Sequence, residues 1–200
     1  MTKRLAAQDW TDFALKTLAR EGFDALKADV LARKLGVSRG SFYWHFTDLD
    51  DFHAQVIERW RQTATEAVIV DLERFRSREE RLDVLLRRAL GHDNALEIRM
   101  RAWADNNGAA AHAVRDMDRR RREYMERLLL DTGIAPTVAA TRVQLLYWTY
   151  LGAALSQSRP TGEQLDRIVT ELKQIGLGVS TPAIEDPRRR RLTRRRRQRA

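Results

Sequence analysis

The run from Leu35 to Phe46, LGVSRGSFYWHF, constrains the fold of this chain more than any other stretch. Before it, Leu26 to Leu35 places Val30, Leu31 and Leu35, with Ala28 and Ala32 between them, at a spacing that buries one helix face. Gly36 then ends that helix, because glycine accepts the left-handed backbone needed just past a helix terminus. Ser38 is positioned to cap a second helix by accepting from its orphan amides. Two helices therefore meet at a turn of about three to four residues, which is a helix-turn-helix. The second helix is short, and its outer positions carry Arg39, Ser41, Tyr43 and His45, groups suited to phosphates and base edges. Upstream, Trp10, Phe13, Ala14, Leu18 and Ala19 form another apolar stripe that Gly22 closes after Glu21. Three helices are enough for a small head, residues 1–47.

With its Tyr-Trp-His-Phe end, this run resembles the TetR family of bacterial transcriptional regulators, and the resemblance covers roughly the first 55 residues. Beyond them the likeness is one of pattern, a series of amphipathic helices of suitable length and order. The resemblance implies a double-stranded DNA operator as partner, a helical body that takes a small-molecule effector, and a homodimer. In the head, Arg39 is the candidate for a bidentate contact to guanine, Gly40 lets the backbone approach DNA, and Ser41 and Tyr43 reach phosphates or a thymine edge. His45 and Lys27, the latter at the start of the preceding helix, are expected on the DNA backbone. Phe42, Phe46 and Trp44 are expected in the core. Where the family commonly has a phosphate-clamping lysine just after this motif, this chain has Leu49.

The formal net charge of +9 does not describe the whole chain. Residues 188–200 hold nine arginines and no acid, and without them 28 basic residues balance 28 acidic ones. The first 50 residues carry eight basic and seven acidic side chains, so the head must bind DNA by placed groups and not by a general positive field. The segment from 179 to 200 ends in PRRRRLTRRRRQRA, cannot bury a core, and is expected to be disordered. It either adds sequence-independent attraction to phosphate or is a solvated end. The apolar fraction of 43% suffices for a real core. No cysteine is present, which excludes disulfides and thiolate chemistry and is compatible with a cytoplasmic location. No signal peptide is expected at Met1–Leu5, since Gln8, Asp9 and Asp12 interrupt the apolar run that would have to follow. The most apolar window, Val143 to Leu155, falls short of the roughly 20 residues that span a bilayer, so no membrane partner is expected.

The remainder, residues 48–178, reads as an effector-binding and dimerisation domain, and the whole chain as all-α with about nine helices. Thr47 can cap a long linking helix whose stripe runs through Phe52, Val56, Trp60, Ala64 and Ala67, then Val70, Leu72 and Phe75. Later helices are expected from about Arg78 to Leu90, Ala95 to Asn106, Ala109 to Thr132, Pro136 to Gln157 and Gly162 to Ile175, with glycine and proline breakers between them. Val143 to Leu155 leaves almost no polar face and should be covered on both sides. The body covers one, and a second protomer the other. Leu165, Ile168, Val169, Leu172 and Ile175 form a further seam in need of a partner helix.

Candidate walls for an effector site are Trp60, Met100, Trp103, Met117, Tyr124, Tyr147 and Trp148, large groups that line pockets and also build plain cores. Arg121 stands on the face of Val114, Met117, Tyr124, Met125 and Leu128, where an apolar residue is expected. A buried arginine needs an anion. That anion is an acidic effector or, the reading favoured here, an internal acid such as Asp116 or Asp118. His45, Asp48, Asp50, Asp51 and His53 cluster in sequence as metal ligands would, but carboxylates at a helix start are explained by capping and the helix dipole. No phosphate-binding glycine loop, dinucleotide fingerprint or nucleophile elbow is present, so no cofactor, metal or enzymatic activity is expected. The combined reading is a homodimeric repressor on a palindromic operator, released by a small, largely apolar effector. An activator or an effector-independent DNA binder is the alternative.

Overall fold

The expected alternation of amphipathic stripes and breakers is realised as nine helices, with no strand among the described residues. The structure is a computed structural model that describes residues 5–156 and 159–178. The tail expected to be disordered, 179–200, lies outside them. The head contains α1 (Ala7–Glu21), a short 3-10 turn (Phe23–Ala25), α2 (Ala28–Leu35) and α3 (Arg39–Tyr43). The linking helix α4 runs through Leu49–Arg61, a π-helical turn at Gln62–Glu66, and Ala67–Leu72. The body adds α5 (Arg78–Gly91), α6 (Ala95–Ala104), α7 (Gly108–Leu130), α8 (Pro136–Leu155) and α9 (Gly162–Leu177).

Local chemistry accounts for most of these boundaries. Gly36 adopts φ 69° and ψ 31°, the left-handed conformation that ends α2 and starts the turn into α3. Ser38 occupies the N-cap of α3 with extended backbone, yet its hydroxyl makes no capping hydrogen bond, contrary to the sequence expectation. The cap of α4 is also displaced by one residue. Asp48, and not Thr47, accepts from the Asp51 amide at 2.8 Å, and Asp51 in return accepts from the Thr47 amide at 3.0 Å. A carboxylate there satisfies an orphan amide and meets the positive end of the helix dipole, so it outcompetes the hydroxyl. Ser77 and Asn107 cap α5 and α7 through the Glu80 and Ala110 amides.

The π-helical turn changes which face of α4 points inward. Phe52, Val56 and Trp60 are buried as the stripe predicts. The turn then inserts one extra residue per repeat, rotating everything beyond it by about 100° relative to regular α-helix. Thr65, Val68 and Ile69 therefore turn inward beside Leu72, which is buried as the stripe predicts, while Ala67 and Val70, expected on the stripe, lie exposed.

Two apolar cores result. The first unites head and body: Trp10, Leu18, Leu31, Phe42, Phe46 and Phe52 continue through Val56 and Trp60 into Met100, Trp103, Val114 and Met117. At its centre the Phe42 ring lies 5.5 Å from Trp10, 4.9 Å from Phe46 and 5.1 Å from Phe52, in edge-on or tilted arrangements that suit the aromatic quadrupole. The second core joins Leu72, Leu82, Leu86, Tyr124, Leu128, Leu146, Val169 and Leu172 from α4, α5, α7, α8 and α9. One side of α8 is thereby covered, through Val143, Leu146 and Tyr147, whereas Leu145, Trp148 and Leu155 on its outer side are exposed in the single chain. The reciprocal cap of α4 gives a first test. Asp48→Ala should lower stability by about 1 kcal/mol, read as an earlier urea unfolding midpoint with an unchanged slope.

Candidate nucleic-acid interface and effector cavity

The α2–α3 turn presents α3 with its inner side fixed and its outer side free. Phe42 and Phe46 are buried and anchor the helix in the aromatic core. Arg39 and Tyr43, one turn apart, face outward: Arg39 Nη2 donates to the Tyr43 hydroxyl at 3.1 Å, and the guanidinium lies 5.6 Å over the ring. This pair is preformed and holds two donor groups on one face. Lys27 and Gly40 are exposed as well, and Ser41 and His45 partly so. Trp44 corrects the sequence reading, because 85% of its surface is exposed and it contributes nothing to the core. The reason is angular. With Phe42 and Phe46 both directed inward, four residues apart, the position between them points to solvent.

Gly40 has no internal reason to be glycine. A Cβ there would come no closer than 3.7 Å to Ser38 Oγ, ordinary contact distance, and the backbone φ is not positive. His53 and the nearby acids do not converge on a metal. The His53 ring is buried, its Nε2–H donates to the Leu26 carbonyl at 3.1 Å, and it packs between Phe23 and Trp103. Asp51 is engaged by Thr47 and Gln55. Among the described residues no group of three or more His, Asp or Glu could hold a metal ion.

In the body, α4, α5, α6, α7 and α8 line a cavity of about 510 Å³ that is partly open to solvent. Trp60, Val68, Ile69, Leu85, Leu86 and Leu96 supply apolar wall, and Tyr124, Tyr147 and Tyr150 line it as well. Thr63, Ala64 and Thr65 of the π-helical turn form part of the same wall. At its inner edge is Arg121, whose side chain is only 15% exposed. Its Nη1 and Nη2 both donate to Glu97 Oε2 at 3.1 Å, Nε donates to Thr65 Oγ1 at 2.9 Å, and Nη2 reaches the Ala64 carbonyl at 3.4 Å. Its guanidinium also covers the rings of Tyr150 and Trp60, at 5.6 and 5.9 Å. The arginine has an internal acid, as favoured from sequence, but that acid is Glu97.

Asp118 instead binds Arg101, at 2.6 and 3.1 Å, and accepts from the Tyr147 hydroxyl at 2.6 Å. Arg101 also meets Glu97 at 2.7 Å, so two arginines and two carboxylates form one connected network. Burial is the largest influence on Arg121 and works against its charge, yet Glu97 together with Tyr150 and Tyr147 outweighs it and the pKa rises. Burial, followed by the opposing charge of Arg121, leaves the Tyr150 hydroxyl pushed up to about 12, so it is a neutral phenol.

Residues 11–54 match the family described as bacterial regulatory proteins, tetR family. The head therefore resembles the N-terminal domain of that family. No curated protein matches the sequence as a relative. Solved structures extend the likeness over the body. A transcriptional regulator from Rhodococcus sp. Rha1 is 20% identical, with a TM-score of 0.72 over 88% of this chain and 99% of that one. A TetR transcription regulator from Haloarcula marismortui is 17% identical, TM-score 0.65, over 85% and 95%. FadR from Bacillus subtilis, solved with stearoyl-CoA, is 14% identical, TM-score 0.61, over 87% and 100%. The chain thus has the fold of a TetR-family transcriptional regulator.

Within this TetR-type body, only part of the candidate wall is brought together. Trp60, Arg121, Tyr124 and Tyr147 line the cavity. Met100, Trp103 and Met117 instead fill the core that the body shares with the head, and Trp148 faces outward with 60% of its surface exposed. Sequence reasoning missed Glu97 and Tyr150. A lone acid on the apolar run of α6 was the available signal for Glu97, of the same kind that drew attention to Arg121.

The head generates a paired prediction. Gly40→Ala should fold at least as well as wild type, gaining up to about 1 kcal/mol from helix propensity, and yet lose DNA affinity. Trp44→Ala should change stability by less than about 0.5 kcal/mol and also weaken DNA binding. Urea denaturation beside fluorescence anisotropy with duplex DNA checks both.

Proposed function

We propose that this protein is a homodimeric, sequence-specific repressor that binds a palindromic operator in the cytoplasm and is released when a small molecule fills the cavity of its body. The observation that carries the reading is a donor-bearing face on α3 joined, through one continuous core, to a cavity of about 510 Å³. Arg39, Gly40, Ser41, Tyr43, Trp44 and His45 are the DNA-facing set, with Lys27 at the start of α2. Arg39 suits guanine O6 and N7, and the others suit phosphates, sugars and the thymine methyl.

Two routes link cavity and head. The linking helix α4 carries Thr63, Ala64 and Thr65 on the cavity wall and Phe52 and Val56 in the head core. On α6, Glu97 faces the cavity, while Trp103 stacks on Phe23 of the head at 4.7 Å with the ring planes 23° apart. A ligand that fits the cavity in only one arrangement of these helices would shift the heads toward that arrangement and change operator affinity. The complex of B. subtilis FadR with stearoyl-CoA supports ligand binding on this fold.

The outer side of α8 supports the dimer. Val138, Leu145, Trp148 and Leu155 recur at helical spacing and are exposed, and Ile175 of α9 is exposed too. Two such faces related by a two-fold axis make a four-helix contact. They also present two α3 helices to half-sites separated by about 34 Å or a multiple of it.

The deciding experiment is selection from random duplex DNA with the full chain, followed by a small-molecule screen for release of the selected duplex. Enrichment of one palindrome, and its release by a compound that raises the melting temperature, supports the reading. Equal binding to all sequences overturns it. Trp148→Glu should convert a dimer to a monomer in sedimentation velocity and weaken operator binding by at least about tenfold, because a lone head forfeits the effective concentration of its twin.

A further inference from the structure

An arginine lining an effector cavity ordinarily reads as a hook for an anion, and here that reading fails on geometry. Arg121 is the cation best placed to receive a carboxylate or phosphate, but Glu97 takes both of its terminal nitrogens at 3.1 Å and Thr65 takes Nε at 2.9 Å. Glu97 is itself only 6% exposed and shares its other oxygen with Arg101, at 2.7 Å. The remaining charges on the wall are matched as well, Arg88 by Asp71 and Asp93 by Arg159. Each Arg, Asp and Glu side chain lining the cavity thus has a counter-charge within the protein, among the described residues, and His92 lines it as well.

Taking the cavity as the effector site just proposed, we infer that its ligand is a neutral, largely apolar molecule, and that the Glu97–Arg121 pair excludes charged ones. An anion entering the cavity would have to draw Arg121 away from Glu97, leaving that buried carboxylate to Arg101 alone, or remain unpaired itself. A cation fares no better, because the faces of Trp60 and Tyr150 that would hold it already hold the Arg121 guanidinium. Val68, Ile69, Leu85, Leu86 and Leu96 make up much of the surface left to a ligand, with the uncharged polar groups of Thr63, Asn94 and Tyr124 beside them.

Two probes on one skeleton test this in the full chain: neutral phenylnaphthylamine and its anionic relative anilinonaphthalene sulfonate, titrated by fluorescence. Ala89→Phe, a cavity-filling change on the α5 wall, reports which binding is internal. The expectation is that the neutral probe binds wild type, that Ala89→Phe abolishes this, and that the anionic probe binds the cavity at least about tenfold more weakly. Glu97→Gln, which frees Arg121, should narrow or reverse that gap.

Cavity binding of the anionic probe as tightly as the neutral one would overturn the inference while leaving the cavity as an effector site. So would a folded Glu97→Gln protein with the gap unchanged. Probe binding that is absent, or indifferent to Ala89→Phe, would overturn the effector reading itself and the inference with it. Should Glu97→Gln fail to fold, the wild-type comparison decides alone.

Discussion

A charge placed inside a protein must be matched where it stands, and the Arg121–Glu97 pair imposes that condition on four helices at once. The guanidinium comes from α7 and the carboxylate from α6. The other partners are Thr65 and the Ala64 carbonyl of α4, and Tyr150 of α8. None of these elements can slide without leaving a buried charge or a polar group unsatisfied, a penalty of about 3–5 kcal/mol for a broken buried pair. The π-helical turn belongs to the same arrangement. Its extra residue brings Thr65 inward to meet Arg121 and leaves the Ala64 carbonyl within reach of Nη2. The pair fixes the position of the helices more than it adds net stability, since desolvation offsets most of the attraction.

The head depends on a different kind of constraint. Trp10, Phe42, Phe46 and Phe52 pack in edge-to-face and tilted pairs, which fixes the orientation of α3 as well as its depth. A short helix of this kind has little stability of its own. The orientation of Arg39, Tyr43 and Trp44 is therefore a property of the core beneath them, and that core extends to Met117 in the body.

Much of this was legible in the sequence because it is periodic or punctuated. Nine helices and their breakers followed from apolar spacing, glycine and proline, and the helix-turn-helix followed from one run. What was not legible depends on tertiary context. Trp44 reads as core by residue type, and only the angular positions of Phe42 and Phe46 turn it outward. Ala67 and Val70 fell off the stripe because a π-helical turn leaves no mark in a periodicity that assumes 3.6 residues per turn. Met100, Trp103 and Met117 have the chemistry of cavity walls, but helix packing, which spacing does not encode, placed them in the core under the head. The partner of Arg121 lies 24 positions away, beyond the reach of any local pattern.

The core that runs unbroken from Trp10 to Met117 bears on how such a chain can change over evolution. A head that owned its core could be exchanged between regulators like a cassette. This one carries its lower surface on the body, where Trp103 of α6 meets Phe23, so a transplanted head would arrive with Phe23 facing an unfamiliar floor. New operator preferences are therefore reached most readily through the outward residues of α3, and drift in the floor will be felt at the DNA surface even where no residue of that surface has changed.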